Sequence, residues 1–251
     1  MLKPIKFKNN RGEFLRGIIH VPKKYDTAVL FLHGFPGSMF GTAKRICTPL
    51  AKLGYLGMRF EFSGTNTSDG KFENKLMSQE VKEVRYALDF LKKNFSFKKL
   101  ILVGHSTGAI DAALYAYKDK RINKLILLGE VCHLNKAVKY DFNDQQVHDF
   151  WTKGHLVYKR KGSWVNNKKL KKAFYDEFFK LNLPGSLRKF KRPVLIVHGE
   201  KDAIPVSEPK ELFKLIKQPK KLVIIKGADH GFKKKEHTKQ LIKVINRFIR
   251  G

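Results

Sequence analysis

The sequence predicts an α/β domain in which a mainly parallel β-sheet is covered by helices on both faces and interrupted by one insertion. Three observations carry this. Short apolar runs recur along the chain, amphipathic helical patterns lie between them, and the alternation fails once, between about residues 132 and 189. Continuous apolar runs mark strands buried on both faces, the setting of a parallel sheet.

In chain order, residues 14–21, 27–32 and 56–62 read as strands, followed by 99–103, 124–128, 193–197 and 221–225. Helices belong between them. Val81, Val84, Leu88 and Leu91 share one helical face, as do Ile110, Ala113, Leu114 and Tyr117, and Leu241, Val244, Ile245 and Phe248. Inside the irregular stretch, residues 154–164 alternate around Arg160-Lys161-Gly162 and predict a hairpin, and 167–181 predict an aromatic-bearing helix. The organisation expected is a core of residues 1–131 and 190–251 with 132–189 inserted as a cap. Trp151, Tyr158 and Trp164 are the candidates for a substrate pocket beneath it; the competing reading is that the cap's aromatics form its own core.

A chain of 251 residues with 42% hydrophobic composition suits one domain with a full core. It has no apolar stretch of about 18 residues, and its start lacks the apolar centre of a signal peptide. No membrane span and a cytoplasmic location are expected. Cys47 and Cys132 are too few for a disulfide framework, and neither has a partner at metal-ligand spacing. Buried thiols, no metal site and no cofactor follow as expectations. Lys+Arg number 52 against 22 Asp+Glu, a formal charge of +30. The basic clusters are dispersed and match no nucleic-acid motif, so a lysine coat is expected and specific nucleic-acid binding is not.

The chemistry is concentrated in Gly104-His105-Ser106-Thr107-Gly108, which follows the run Leu100-Ile101-Leu102-Val103 and precedes a helical pattern. A serine at the apex of such a strand-turn-helix takes strained backbone angles and needs glycine at both flanks. The helix that follows offers the Thr107 amide to an oxyanion. Serine is a weak nucleophile and requires a base with an orienting acid. Asp202 is the acid candidate, on the loop after strand 193–197, and His230 is the base candidate, among glycines after strand 221–225. The loop His33-Gly34-Phe35-Pro36-Gly37-Ser38 follows an early strand and supplies a second oxyanion amide, assigned to Phe35. Serine, aspartate and histidine in that order are the arrangement of an α/β-hydrolase fold. Glu130 is an alternative acid, Asp229 reads as structural, and His33, His105 and His198 read as loop-holding residues.

Over nearly its whole length the chain resembles the α/β-hydrolase superfamily. The ending Ser68-Asp69-Gly70-Lys71-Phe72-Glu73 resembles a loop of bacterial feruloyl (cinnamoyl) esterases. Those enzymes share a His-Gly-Phe oxyanion loop, a Gly-His-Ser turn and a cap between the corresponding strands. The resemblance implies Ser106, Asp202 and His230 as catalytic triad and Phe35 and Thr107 as oxyanion donors. The sequence departs from the pattern at Gly64-Thr65-Asn66, where relatives have Gly-His-Gly, and at Ile110, where a small residue is frequent.

The function expected is a serine carboxylesterase acting on small to medium acyl or aryl esters, hydroxycinnamoyl esters among them, through an acyl-enzyme. Monoacylglycerol lipase, thioesterase and peptidase activities share the same apparatus. The alternative of another class is a non-catalytic basic module binding polyanions. The partner expected is a small-molecule ester, and the oligomeric state is left open.

Overall fold

The computed structural model describes residues 1–251. Its elements are β1 (Leu2–Lys8), β2 (Phe14–His20), β3 (Thr27–Leu32), α1 (Thr42–Lys52), β4 (Leu56–Phe60), α2 (Met77–Asn94), β5 (Lys99–His105), α3 (Thr107–Tyr115), β6 (Lys124–Leu128), α4 (Leu134–Asp141), α5 (Asp144–Lys153), β7 (His155–Val157), β8 (Lys169–Lys171), α6 (Lys172–Glu177), α7 (Leu183–Lys189), β9 (Val194–Gly199), α8 (Ser207–Leu215), β10 (Lys220–Ile225) and α9 (Lys235–Arg250). Eight strands form one sheet in the order β1-β2-β4-β3-β5-β6-β9-β10. β1 and β2 join it antiparallel and all other pairs are parallel.

Successive side chains of a strand point to opposite faces, and each face has its own apolar layer. Val29, Phe31, Ile101 and Val103 pack with Ile46 and Leu50 of α1 and Leu241 and Ile245 of α9. Leu30, Leu102, Leu125 and Leu127 pack on the other side with Val84, Leu88 and Leu91 of α2, Ala113 of α3 and Leu187 of α7. From β3 the chain moves outward to β4, then returns to the other side of β3 to form β5. The strand order therefore reverses beside the carboxyl ends of β3 and β5, where open α/β sheets bind ligands. No helix is long and apolar enough to cross a membrane.

Three local features depart from the sequence reading. β1 was not anticipated, because Lys3, Lys6 and Lys8 interleave with its apolar residues; it is an edge strand, mostly exposed, paired along its whole length with β2. The expected hairpin over 154–164 does not close on itself: β7 pairs with β8, beyond Trp164. The intervening loop is held by the Arg160 amide donating to Asn166 Oδ1 at 2.8 Å, with Gly162 and Asn167 at positive φ. The helix expected over 167–181 shortens to α6, because its first residues are taken by β8.

The loop after β4 is anchored from inside. Glu83 of α2 is fully buried, and its carboxylate accepts hydrogen bonds from the Ser63 amide (2.9 Å), Asn9 Nδ2 (2.9 Å) and Gln79 Nε2 (3.1 Å). The ammonium of Lys75, also buried, pairs with Glu80 at 2.5 Å and donates to the Ser63 carbonyl and Thr65 Oγ1. Removing the Glu83 carboxylate strands several buried donors at once. We expect Glu83→Ala to lower the unfolding free energy by about 3 kcal/mol, measured by urea denaturation; a change within error of zero would show that the loop is held by other contacts.

Candidate active site

The turn between β5 and α3 is where the chain is most constrained. Ser106 sits at φ 57, ψ −130, a region that residues with a side chain occupy only where surrounding structure forces it. The forcing is backbone contact. A Cβ on Gly104 would lie 2.1 Å from the Gly108 carbonyl oxygen, and one on Gly108 would lie 2.5 Å from the carbonyl oxygens of Leu32 and His33. The turn thus presses against the end of β3, which carries the other candidate loop. Gly34 permits that loop to meet the serine: a Cβ there would lie 2.7 Å from Ser106 Cβ.

The loop-end residues then converge. Asp202, its side chain wholly buried, accepts from His230 Nδ1–H through both oxygens, at 2.8 and 2.9 Å. Its Oδ1 also accepts the Ile204 amide at 2.9 Å. Burial alone would raise the Asp202 carboxyl, but the His230 and Ile204 hydrogen bonds outweigh it and hold the group below its ordinary range. The pairing places the ring proton on Nδ1 and leaves Nε2 free to accept one. The end of β6 closes the far side of the ring: a Cβ on Gly129 would come within 2.9 Å of His230 Cε1.

Ser106 and His230 line one cavity of about 350 Å³, together with His33, Gly34, Phe35, Arg160 and Lys233. The Phe35 amide is engaged by no hydrogen bond. Thr107 is the first residue of α3, where an amide has no acceptor within its own helix. Ser106 Oγ makes no hydrogen bond to His230, and such bonds tighten when substrate is bound. The five residues singled out in the sequence for catalysis and for the oxyanion are therefore gathered in one place.

Their neighbours hold loops. His105 Nε2–H donates to the His230 carbonyl (2.8 Å), His198 Nε2–H to the Ile204 carbonyl (2.8 Å) and His33 Nδ1–H to the Gly34 carbonyl (2.9 Å). Burial pushes His33 and His105 down to about 3, so both rings are neutral. Asp229 Oδ1 accepts the Lys233 amide at 2.8 Å, shaping the turn after His230. Glu130 is buried and pairs only with the Val131 amide; burial pushes it well above the usual carboxyl range, and it makes no contact with the His230 ring nitrogens.

The inserted segment meets this site through residues other than the three named for a pocket. Trp151 is 67% exposed, since Phe150, one position earlier on α5, has taken the inward side; its ring lies under Lys172 Nζ. Tyr158 and Trp164 pack on Phe72, and Tyr158 also on Phe35. None of the three lines the cavity at Ser106. Arg160 does, and Asp141 and Tyr140 of α4 bound a second crevice beside Ser106 and Thr107 of only about 10 Å³, about the room of one water. These were missed because no motif marks them: their place comes from how the insertion folds back.

Fold and site together define an α/β-hydrolase. The family model described as serine aminopeptidase, S33, matches residues 23–177, and the chain belongs to that hydrolase family. No curated protein matches it in sequence. Among solved structures it is similar to Est1E of Butyrivibrio proteoclasticus with ferulic acid bound, at 23% identity, 98% of this chain and 97% of that one, and TM-score 0.79. The esterase domain of a Rhodothermus marinus protein is similar at 22% identity over 100% and 98%, with TM-score 0.75. Mouse alpha/beta hydrolase domain-containing protein 10 is similar at 21% over 99% and 98%, with TM-score 0.78. At such identities the likeness establishes the fold.

Asp141 gives a pH dependence. Burial pushes its carboxyl up to about 7 against the opposing pull of His230, and Tyr158 is its other titratable neighbour. Between about 4 and about 7 the unfolded chain has released a proton that the folded protein keeps, so stability falls as pH rises through that window. Asp141→Asn should remove this component, narrowing the drop in thermal midpoint between about pH 5 and about pH 8. An identical drop in wild type and variant would show that the carboxyl titrates normally.

Proposed function

We propose that the chain is a serine carboxylesterase that works through an acyl-enzyme. The observation carrying this reading is that His230, held from behind by the buried Asp202, lines one cavity with Ser106 on its strained turn. His230 Nε2 takes the hydroxyl proton as Ser106 Oγ attacks the ester carbonyl. The amides of Phe35 and Thr107 receive the oxyanion, and Asp202 fixes the ring and offsets its charge. The alcohol leaves with the proton from His230, and water releases the acid by the same steps.

Residues 132–189 serve as the cap, and the substrate is a small or medium acyl or aryl ester. The aryl class is supported by the Phe35 ring, which lines the cavity at Ser106 and packs behind it on Phe72, Tyr158 and Phe174, and by ferulic acid in a structure similar to this one. The family's description favours a second reading, hydrolysis of amino-terminal peptide bonds by the same triad.

Ser106→Ala should abolish hydrolysis of p-nitrophenyl esters and labelling by a fluorophosphonate probe while the circular dichroism spectrum is unchanged. Activity near wild type would remove Ser106 from the mechanism. Asp202→Asn is expected to lower kcat by about 10⁴-fold, because the ring is then held in the wrong tautomer. Comparing butyrate and ferulate esters with aminoacyl anilides separates the two readings: faster anilide cleavage would establish the peptidase.

A further inference from the structure

Away from the candidate active site, the start of the insertion meets α8 through an unusual set of side chains. Cys132 Sγ, a His133 ring nitrogen and a Glu211 carboxylate oxygen all lie within 4.8 Å of one another. His133 Nε2 is 2.9 Å from Glu211 Oε1. Glu208, one helical turn before Glu211, is buried and accepts the Cys132 amide at 3.0 Å, fixing the backbone that presents the thiol. His133 and Glu211 also line a groove of about 730 Å³ between α7, α8 and the segment around Phe178, which opens the cluster to solvent.

Thiolate, imidazole and carboxylate are the donors favoured by Zn²⁺ and similar borderline ions. Ligand atoms 2.0–2.3 Å from a tetrahedral ion stand about 3.5 Å apart, so a spread of at most 4.8 Å closes with small side-chain rotations. We propose that Cys132, His133 and Glu211 bind a divalent transition-metal ion of the zinc class, leaving its fourth position open to the groove. Glu208 acts behind the ligands, through the Cys132 amide. Lys136, whose ammonium lies 3.4 Å from Glu211 and 3.7 Å from Glu208, is the cation now balancing these acids, and being half exposed it can turn to solvent as the ion enters. Binding exchanges the Cys132 S–H proton, released to solvent, for a metal–sulfur bond.

The ion would staple the first residues of the insertion to the helix that follows the Asp202 loop. This is independent of the esterase reading, because the test reads metal binding. The protein, stripped with chelator, is titrated with Co²⁺ and then Zn²⁺, with absorption spectra and calorimetry. Expected are a single saturable site, a thiolate-to-cobalt charge-transfer band that Zn²⁺ displaces, and a thermal midpoint that rises with Zn²⁺. Cys132→Ser should abolish the band and Cys47→Ser should keep it. His133→Asn and Glu211→Gln, at half-exposed positions that tolerate polar replacement, should each weaken binding at least about tenfold, and they carry the test if Cys132→Ser fails to fold. No saturable binding below about 100 μM, a band surviving in Cys132→Ser, or affinity unchanged in Glu211→Gln would overturn the proposal.

Discussion

The contact on which the rest of the site depends is between backbones: the turn after β5 folds so tightly that Gly104 has no room for a Cβ beside Gly108 and Ala109, and it presses on the end of β3 so closely that Gly108 has none either. That contact drives Ser106 to positive φ and turns its side chain toward the loop following β3. Gly34 completes the approach from the other side. The strain is sustained by the sheet, since β3 and β5 pair along six registered positions and are covered on both faces by apolar side chains. A rigid parallel sheet thereby fixes a local conformation that an isolated segment would abandon.

Charge is divided in a way that composition alone hides. The +30 surplus is a surface property, whereas Glu61, Glu80, Glu83, Asp111, Asp119, Glu130 and Glu208 are all buried. Several of these acids anchor loops by accepting backbone amides: Glu61 takes that of Thr67, Glu83 that of Ser63 and Glu208 that of Cys132. Lysines cover the outside and carboxylates organise the inside. A lysine coat raises the concentration of any anion near the molecule.

Much of this was legible beforehand, because the core strands are continuous apolar runs and the chemistry sits at their ends, where motif and periodicity coincide. Ser106 follows its run directly, and Asp202 and His230 lie on the short loops that leave β9 and β10, so placing the strands also placed these three residues at one end of the sheet. Legibility stopped where tertiary contact decides. β1 is stabilised by one neighbour rather than by burial, so its pattern is weak. β7 skips the nearest turn to pair with β8, which no local rule encodes. Trp151 was attractive by type alone, and its outward direction follows from Phe150 occupying the inner side. The nearness of Cys132 to Glu211 joins residues far apart in sequence and is invisible to spacing.

The segment between β6 and β9 and the loop after β3 are not separate devices. The Phe35 ring stacks on Phe72 at 5.7 Å with an interplanar angle of 3°, and meets Phe174 of α6 at 4.6 Å and Tyr158 at 6.0 Å. Phe35 therefore presents an unengaged amide beside the serine while its side chain is gripped by the inserted segment and by the loop that Glu83 and Lys75 hold from below. A rigid aromatic ring transmits displacement because close-packed neighbours leave it no other place to go. A displacement of α6 consequently moves Phe35, and with it the loop that lines the cavity at Ser106. The amide proposed above to receive the oxyanion is thus tied, through one side chain, to the packing of the segment between β6 and β9.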